Sequence, residues 1–315
     1  MTRRLSPVLV LFAAMAVALA ADDKKADPQP PKGETITFSF EKSKVFPGTS
    51  RGVTVYVPSQ YDGKTPACVY VSQDGLPGYV GPAFEKLIAE KAMPVTIAIG
   101  VTPGVVKAAG KDALPRFNRS YEYDGLGGDY AKFLVTELLP EVETKATQSG
   151  RKVVLSPSGV DRAIGGASSG AICAFTAAWE RPDEFSRVFS TIGTYVGLRG
   201  GDVYPTLIRK FEPKPIRVYL QDGSKDLNIY GGDWWMANQT MQRALTFAGY
   251  EVKHSWNDGG HNGGLAAEVF PEAMKFLWEG HPKPVKAGQG SQQLKEILIP
   301  GEDWKLVGEG YKFTE

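Results

Sequence analysis

The chain has 315 residues, 42% of them hydrophobic, which is enough to bury one large core or a core with a small appendage. Its formal net charge is +1, so no basic surface is imposed and nucleic acid is not an expected partner. Two cysteines, Cys68 and Cys173, are too few for a structural metal quartet; both lie in apolar segments and read as buried free thiols.

In chain order, Arg3 and Arg4 precede an apolar run, Leu5 to Ala20, that closes on Ala18-Leu19-Ala20. A basic start, a short apolar stretch and a small-residue site describe a secretory signal peptide over residues 1–20, too short for a comfortable span. A secreted or periplasmic protein is expected, with no membrane span after signal cleavage. Residues 21–33, rich in Lys, Asp and Pro, read as a flexible tether. Alternating strands are expected at Ile36 to Phe40 and Val53 to Val57, with Pro47-Gly48 turning between them. Strand and helix patterns then alternate: strand Ala67 to Ser72, helix Tyr79 to Lys91, strand Val95 to Gly100, helix Asp129 to Thr147, a strand ending Arg162 to Gly165, helix Ala171 to Trp179. Strands Arg187 to Ile192 and Ile216 to Leu220, helix Asp233 to Phe247, strand Tyr250 to Trp256 and helix Ala266 to Trp278 complete the series. This alternation predicts an α/β fold with a mostly parallel central sheet and helices on both faces. His281 to Gly290 reads as a Pro/Lys/Gly linker, and Gln293 to Glu315 is apolar again but too short for a fold.

The chemistry is carried by Gly166-Ala167-Ser168-Ser169-Gly170, set between a predicted strand and a predicted helix. That context is the one a G-x-S-x-G nucleophile elbow requires: a sharp turn, small flanking residues, and a hydroxyl held at a helix N-terminus. Of the three histidines, His281 falls in the linker and His254 in an alternating strand. His261 lies in the Gly-rich loop Asp258 to Gly264 between the last strand and the last helix, where a base can reach Ser168. The acid is expected after the strand ending at Leu220; Asp226 is favoured, Asp222 is the alternative and Asp233 the third choice. Oxyanion N–H groups are expected at Ser169, the residue after the nucleophile, and in the Gln73 to Tyr79 loop, at Leu76 or else Gly75.

These pieces resemble the esterase D-like group of α/β-hydrolases, which holds enterochelin-type esterases, carbohydrate esterase family 1 and the antigen 85 mycolyltransferases. The resemblance rests on Gln73-Asp74-Gly75, Asn118 to Asp124, the Ser168 elbow, Asp226 and Gly259-Gly260-His261-Asn262, and covers roughly 34–280. It implies a serine esterase without metal or cofactor, acting on a small-molecule or carbohydrate ester. The rival readings are an acyltransferase with a sugar acceptor and a non-catalytic carbohydrate-binding protein on a hydrolase scaffold. It also implies substrate contacts from Asp74, Arg119 and Glu122, with an ion-pair role open for the last two. Trp234 or Trp235 is a candidate to stack on a sugar or aromatic acyl group, with core packing the alternative. The tail from Asp303 to Glu315 resembles the opening of a gluconolactonase-like β-propeller, which would make 281–315 a linker and the start of a fused domain.

Overall fold

The computed structural model describes residues 33–290 and Glu296. The signal-peptide reading and the propeller-like tail lie outside the described residues. In chain order the elements are β1 (Glu34–Phe40), β2 (Thr49–Val57), β3 (Cys68–Gln73), α1 (Val80–Ala89), β4 (Thr96–Val101), β5 (Val105–Val106) and β6 (Arg116–Phe117). They continue with α2 (Arg119–Tyr123) and with α3 (Asp129–Phe133), which runs through a π turn (Leu134–Leu138) into α4 (Leu139–Glu143). Next come β7 (Arg162–Ala167), α5 (Ser169–Glu180), β8 (Arg187–Thr191), α6 (Tyr204–Lys210) and β9 (Arg217–Gly223). The last are β10 (Asn228–Ile229), β11 (Gly232–Asp233), α7 (Trp234–Phe247), β12 (Glu251–Asn257) and α8 (Gly264–Trp278).

One ten-stranded sheet runs β12-β9-β8-β7-β3-β4-β2-β5-β6, with β1 added to β2. β4, β3, β7, β8, β9 and β12 are mutually parallel, and β1, β2, β5 and β6 pair antiparallel at the other side. The central strands have no polar face because both sides are covered, as continuous apolar runs such as Thr96–Val101 predict. Alternate residues split between two cores. Val69, Val71, Ile164, Val188 and Val218 pack with α3, α4, α5, α6 and α7 on one face. Cys68, Tyr70, Ala98, Ala163, Phe189 and Tyr219 pack with α1 and α8 on the other.

Helix α6 and the short β5, β6, β10 and β11 are not legible as periodic segments; each is two to seven residues long. Both cysteines are free and buried, as expected. Residues 281–290 carry no regular secondary structure, yet Val285 is buried and Gly290 N–H donates to Ala248 O at 3.1 Å. The parallel order reverses direction from β3, with β4 on one side and β7 on the other, and loops leaving the C-terminal ends of such strands enclose the crevice where this architecture binds ligands.

Candidate active site

Ser168 stands directly after β7 at the start of α5 and adopts φ 60°, ψ −123°. Positive φ on a residue with a Cβ costs of order 1–3 kcal/mol and persists only where its surroundings enforce it. Here they do. A Cβ on Gly166 would lie 2.5 Å from Gly170 O, so α5 closes on β7 only because Gly166 lacks a side chain, and one on Gly170 would lie 3.0 Å from Gln73 Cβ. Ser168 N–H donates to Thr191 O at 2.9 Å, tying the turn to β8.

His261 Nε2 lies 2.9 Å from Ser168 Oγ, and its Nδ1 lies 2.6 Å from Asp226 Oδ1. The three side chains come from loops after β7, β12 and β9, across 93 and 35 residues of chain. Lys225 N–H donates to Gly259 O at 2.9 Å, tying the acid turn to the histidine loop, and Asp226 N–H closes the acid turn on Gly223 O at 3.0 Å. The side chain of Asp226 is inaccessible to solvent. Burial works against its charge, but hydrogen bonds from His261, Asp222 and the Leu227 N–H hold its carboxyl below the usual range. Of the three carboxylates considered from sequence, Asp226 alone touches His261. Asp222 sits behind it, fully buried, and Asp233 caps α7 through the Met236 N–H at 2.9 Å.

The sequence reading missed Thr194. Its Oγ1 is 3.3 Å from Ser168 Oγ and accepts Trp234 Nε1–H at 3.2 Å. Thr194 N–H also donates to Ser168 O at 3.3 Å. An unremarkable Ile-Gly-Thr run after β8 gives no sequence signal for this. Trp234 is correspondingly not a stacking platform. It is buried, with its ring edge-on to His261 at 5.9 Å between centroids, so it supports the histidine from beneath.

The N–H of Ser169 opens α5, where no intrahelical acceptor exists, and Leu76 N–H has no acceptor among the described residues. Gly100 on β4 lets the Leu76 loop lie close: a Cβ there would be 2.2 Å from Leu76 N. Gly75 is excluded as a donor, because its N–H already goes to Val101 O at 3.1 Å. The preceding residue, Asp74, is held at φ 63°, with its N–H on Tyr123 Oη at 3.2 Å. Arg119 clamps Asp74 through two bonds, Nε to Oδ1 at 2.7 Å and Nη2 to Oδ2 at 2.9 Å, and approaches Ala167 O at 3.5 Å. Arg119 and Asp74, both partly exposed, thus border Ser168.

Glu122 does not reach the cleft. It is fully buried against Arg51, with both oxygens taken by that guanidinium at 2.8 and 3.1 Å and a further bond from Gly104 N–H. The ion-pair role is the one it fills, with Arg51 rather than Arg119. Among the described residues, one cluster brings metal-ligand types together: Cys68, Asp161 and His281, with His281 Nε2 2.8 Å from Asp161 Oδ1. It lies at the N-terminal ends of β3 and β7, the opposite end of the sheet from Ser168, and shares its surroundings with the buried guanidinium of Arg187.

The model of the Esterase family, described as "Putative esterase", matches residues 43–260, a span that includes Ser168 and Asp226 and ends one residue before His261. Curated proteins give no match. Among solved structures, a ferulic acid esterase aligns over 78% of this chain and 98% of its own, at TM-score 0.59 and 18% identity. The enterobactin esterase of Shigella flexneri, solved with 2,3-dihydroxy-N-benzoyl-serine, aligns over 80% of this chain at TM-score 0.59 and 20% identity. This chain spans only 60% of that enzyme's length. A ferulic acid esterase of carbohydrate esterase family 1 from Anaeromyces mucronatus aligns over 82% and 95% of the two chains, at TM-score 0.55 and 17% identity. At such identities these likenesses establish the α/β-hydrolase architecture. The family match covers most of the sequence, and on that ground the chain belongs to the Esterase family.

Proposed function

We propose that the protein is a serine carboxylic-ester hydrolase that works through an acyl-enzyme on Ser168. The carrying observation is the unbroken relay from Asp226 through His261 to Ser168, at 2.6 and 2.9 Å. His261 Nε2 takes the Ser168 proton as Oγ attacks the ester carbonyl, and the resulting negative oxygen is held by the Leu76 and Ser169 N–H groups. The protonated His261 then gives its proton to the leaving alcohol. In the second half it draws a proton from water, which attacks the acyl carbon, and returns that proton to Ser168 Oγ as the acyl–oxygen bond breaks and the acid leaves. Asp226 keeps the Nδ1–H tautomer and stabilises the imidazolium without taking the proton.

The substrate we infer is an ester of a carbohydrate, a phenolic acid or a siderophore, met outside the cytoplasm. Three things support this class: the Esterase-family membership, the likeness to ferulic acid and enterobactin esterases, and the partly exposed Arg119–Asp74 pair beside the Ser168 turn. Export rests on the N-terminal sequence; no helix among the described residues is long and apolar enough to cross a membrane. A propeller-type domain continuing from the tail is part of the same proposal. The test is Ser168→Ala. Hydrolysis of p-nitrophenyl acetate and labelling by a fluorophosphonate are both expected to vanish while the thermal melt is unchanged. Retained turnover in that variant refutes the nucleophile.

A further inference from the structure

Asp222 is the last but one residue of β9 and is wholly inaccessible to solvent. Its carboxyl lies beside that of Asp226. On Asp222, Oδ1 accepts the Gly223 N–H at 2.7 Å, and Oδ2 has no donor. On Asp226, Oδ1 takes both His261 Nδ1 and the Leu227 N–H, and Oδ2 again has no donor. Two orphaned oxygens on two touching buried carboxyls are a costly arrangement if both groups are ionised. One proton between them satisfies both. The neighbours dictate which carboxyl holds it. Asp226 has the Leu227 N–H and the histidine, so it keeps the charge; Asp222 has a single backbone donor. Asn238 on α7 approaches Asp222 as well, but its Nδ2 is spent on Gly193 O at 2.9 Å and Trp234 O at 3.0 Å. On β12, Trp256 stands in register with Asp222 and brings no charge.

We propose that Asp222 is a positioning residue, a neutral carboxylic acid whose Oδ2–H donates to Asp226 Oδ2 and so fixes the plane and charge of the carboxylate that orients His261. Desolvation first, then the hydrogen bond and charge of Asp226, push the Asp222 carboxyl up to about 8, in keeping with a neutral group at pH 7. The inference rests on the serine-hydrolase reading of this site.

Two substitutions separate donor from charge. Asp222→Asn keeps the geometry: its carbonyl takes the Gly223 N–H and its NH2 replaces the acid proton toward Asp226. We expect its kcat within about threefold of the parent, because an amide donor substitutes for the hydroxyl one. Asp222→Ala leaves Asp226 Oδ2 buried and unpaired; its kcat is expected to fall roughly 10- to 100-fold with KM little changed. Infrared spectroscopy at neutral pH supplies a readout that does not depend on turnover: the parent should show a protonated-carboxyl C=O band that Asp222→Asn lacks. An Asp222→Asn protein as impaired as Asp222→Ala overturns the proposal, as does a parent spectrum without that band. A fully active Asp222→Ala does so too. Ser168→Ala assayed alongside keeps the two readings apart: its activity decides the nucleophile, while the infrared band decides the Asp222 proton.

Discussion

Replacing Asp226 by Asn probes the whole relay, because the outcome depends on what stands behind it. The Asn carbonyl can take the place of Oδ1, accepting from His261 Nδ1 and Leu227 N–H, while its NH2 faces Asp222 Oδ2. Asp222 then has a donor and no charged neighbour, so it gives up its proton and the negative charge moves one hydrogen bond further from the imidazole. At an effective dielectric of about 20, a carboxylate oxygen 2.6 Å from Nδ1 stabilises the imidazolium by about 6 kcal/mol, and one displaced to roughly 6 Å by about 3 kcal/mol. Asp226→Asn is therefore expected to lose about 3 kcal/mol, or about 200-fold in kcat. The double change Asp222→Asn with Asp226→Asn leaves no carboxylate and should lose about 10^4-fold, the scale seen when a triad acid is neutralised. The measurement is kcat on p-nitrophenyl acetate, normalised to the fraction of protein that labels with a fluorophosphonate and accompanied by a thermal melt of each variant. If Asp226→Asn is as inactive as the double variant, Asp222 does not receive the charge and the reasoning fails. If Asp226→Asn is fully active, Asp226 is not the acid at all.

Stability should carry the same signature. The Asp222 carboxyl, near 3.8 in an unfolded chain, is pushed to about 8 in the fold. Its contribution is complete below about pH 4 and falls as pH rises toward 8, at most about 1.4 kcal/mol per unit, because the unfolded chain releases the proton first. Urea unfolding at about pH 5 and about pH 8 should therefore show a smaller loss for Asp222→Asn than for the parent; equal losses would contradict a buried neutral acid. Thr194→Val strands the buried Trp234 N–H and should cost about 1–3 kcal/mol, read as a melting temperature lower by several degrees. The same variant should lose about tenfold in kcat, since Ser168 Oγ loses its second partner; unchanged kcat would show that Thr194 does not hold the nucleophile. Glu122→Ala leaves the guanidinium of Arg51 buried without its counter-charge and should cost about 3–5 kcal/mol in unfolding experiments, with KM unaltered in the folded fraction. A raised KM with intact stability would return Glu122 to the cleft.

Periodicity exposed the parallel strands because they are long and buried on both faces, and the elbow because steric demand leaves a pattern of small residues around Ser168. The same logic reached Asp226, since the acid must leave the end of β9 with enough chain to meet the far nitrogen of His261. What sequence did not disclose depends on side chains that meet only after folding. Thr194 looks like any residue after a strand. Trp234 is apolar enough for either a platform or a packing role, and only the 3.2 Å bond to Thr194 decides. Glu122 finds Arg51 across 71 residues, a partner no local pattern indicates. Gly75 fits an oxyanion donor on sequence, but the turn spends its N–H on Val101 O.

Hydrogen-bond direction ties these pieces into a single statement about the site. Trp234 Nε1–H has only a proton to give, so Thr194 Oγ1 accepts it and keeps its own proton free for Ser168 Oγ, 3.3 Å away. With that proton hydrogen-bonded to Ser168 Oγ, Ser168 donates to His261 Nε2, and Nδ1 carries the proton that Asp226 accepts. From the other end, an Asp222 proton on Oδ2 forces Asp226 to be the acceptor and therefore the charged member of its pair. Both ends are compatible with the same tautomer of His261, the one able to take a proton from serine. The groups that achieve this, an indole and a carboxylic acid, are both buried, and neither needs to touch the ester. On this view the proton arrangement at Ser168 is shaped as much by two buried donors behind it as by the five-residue turn that displays it.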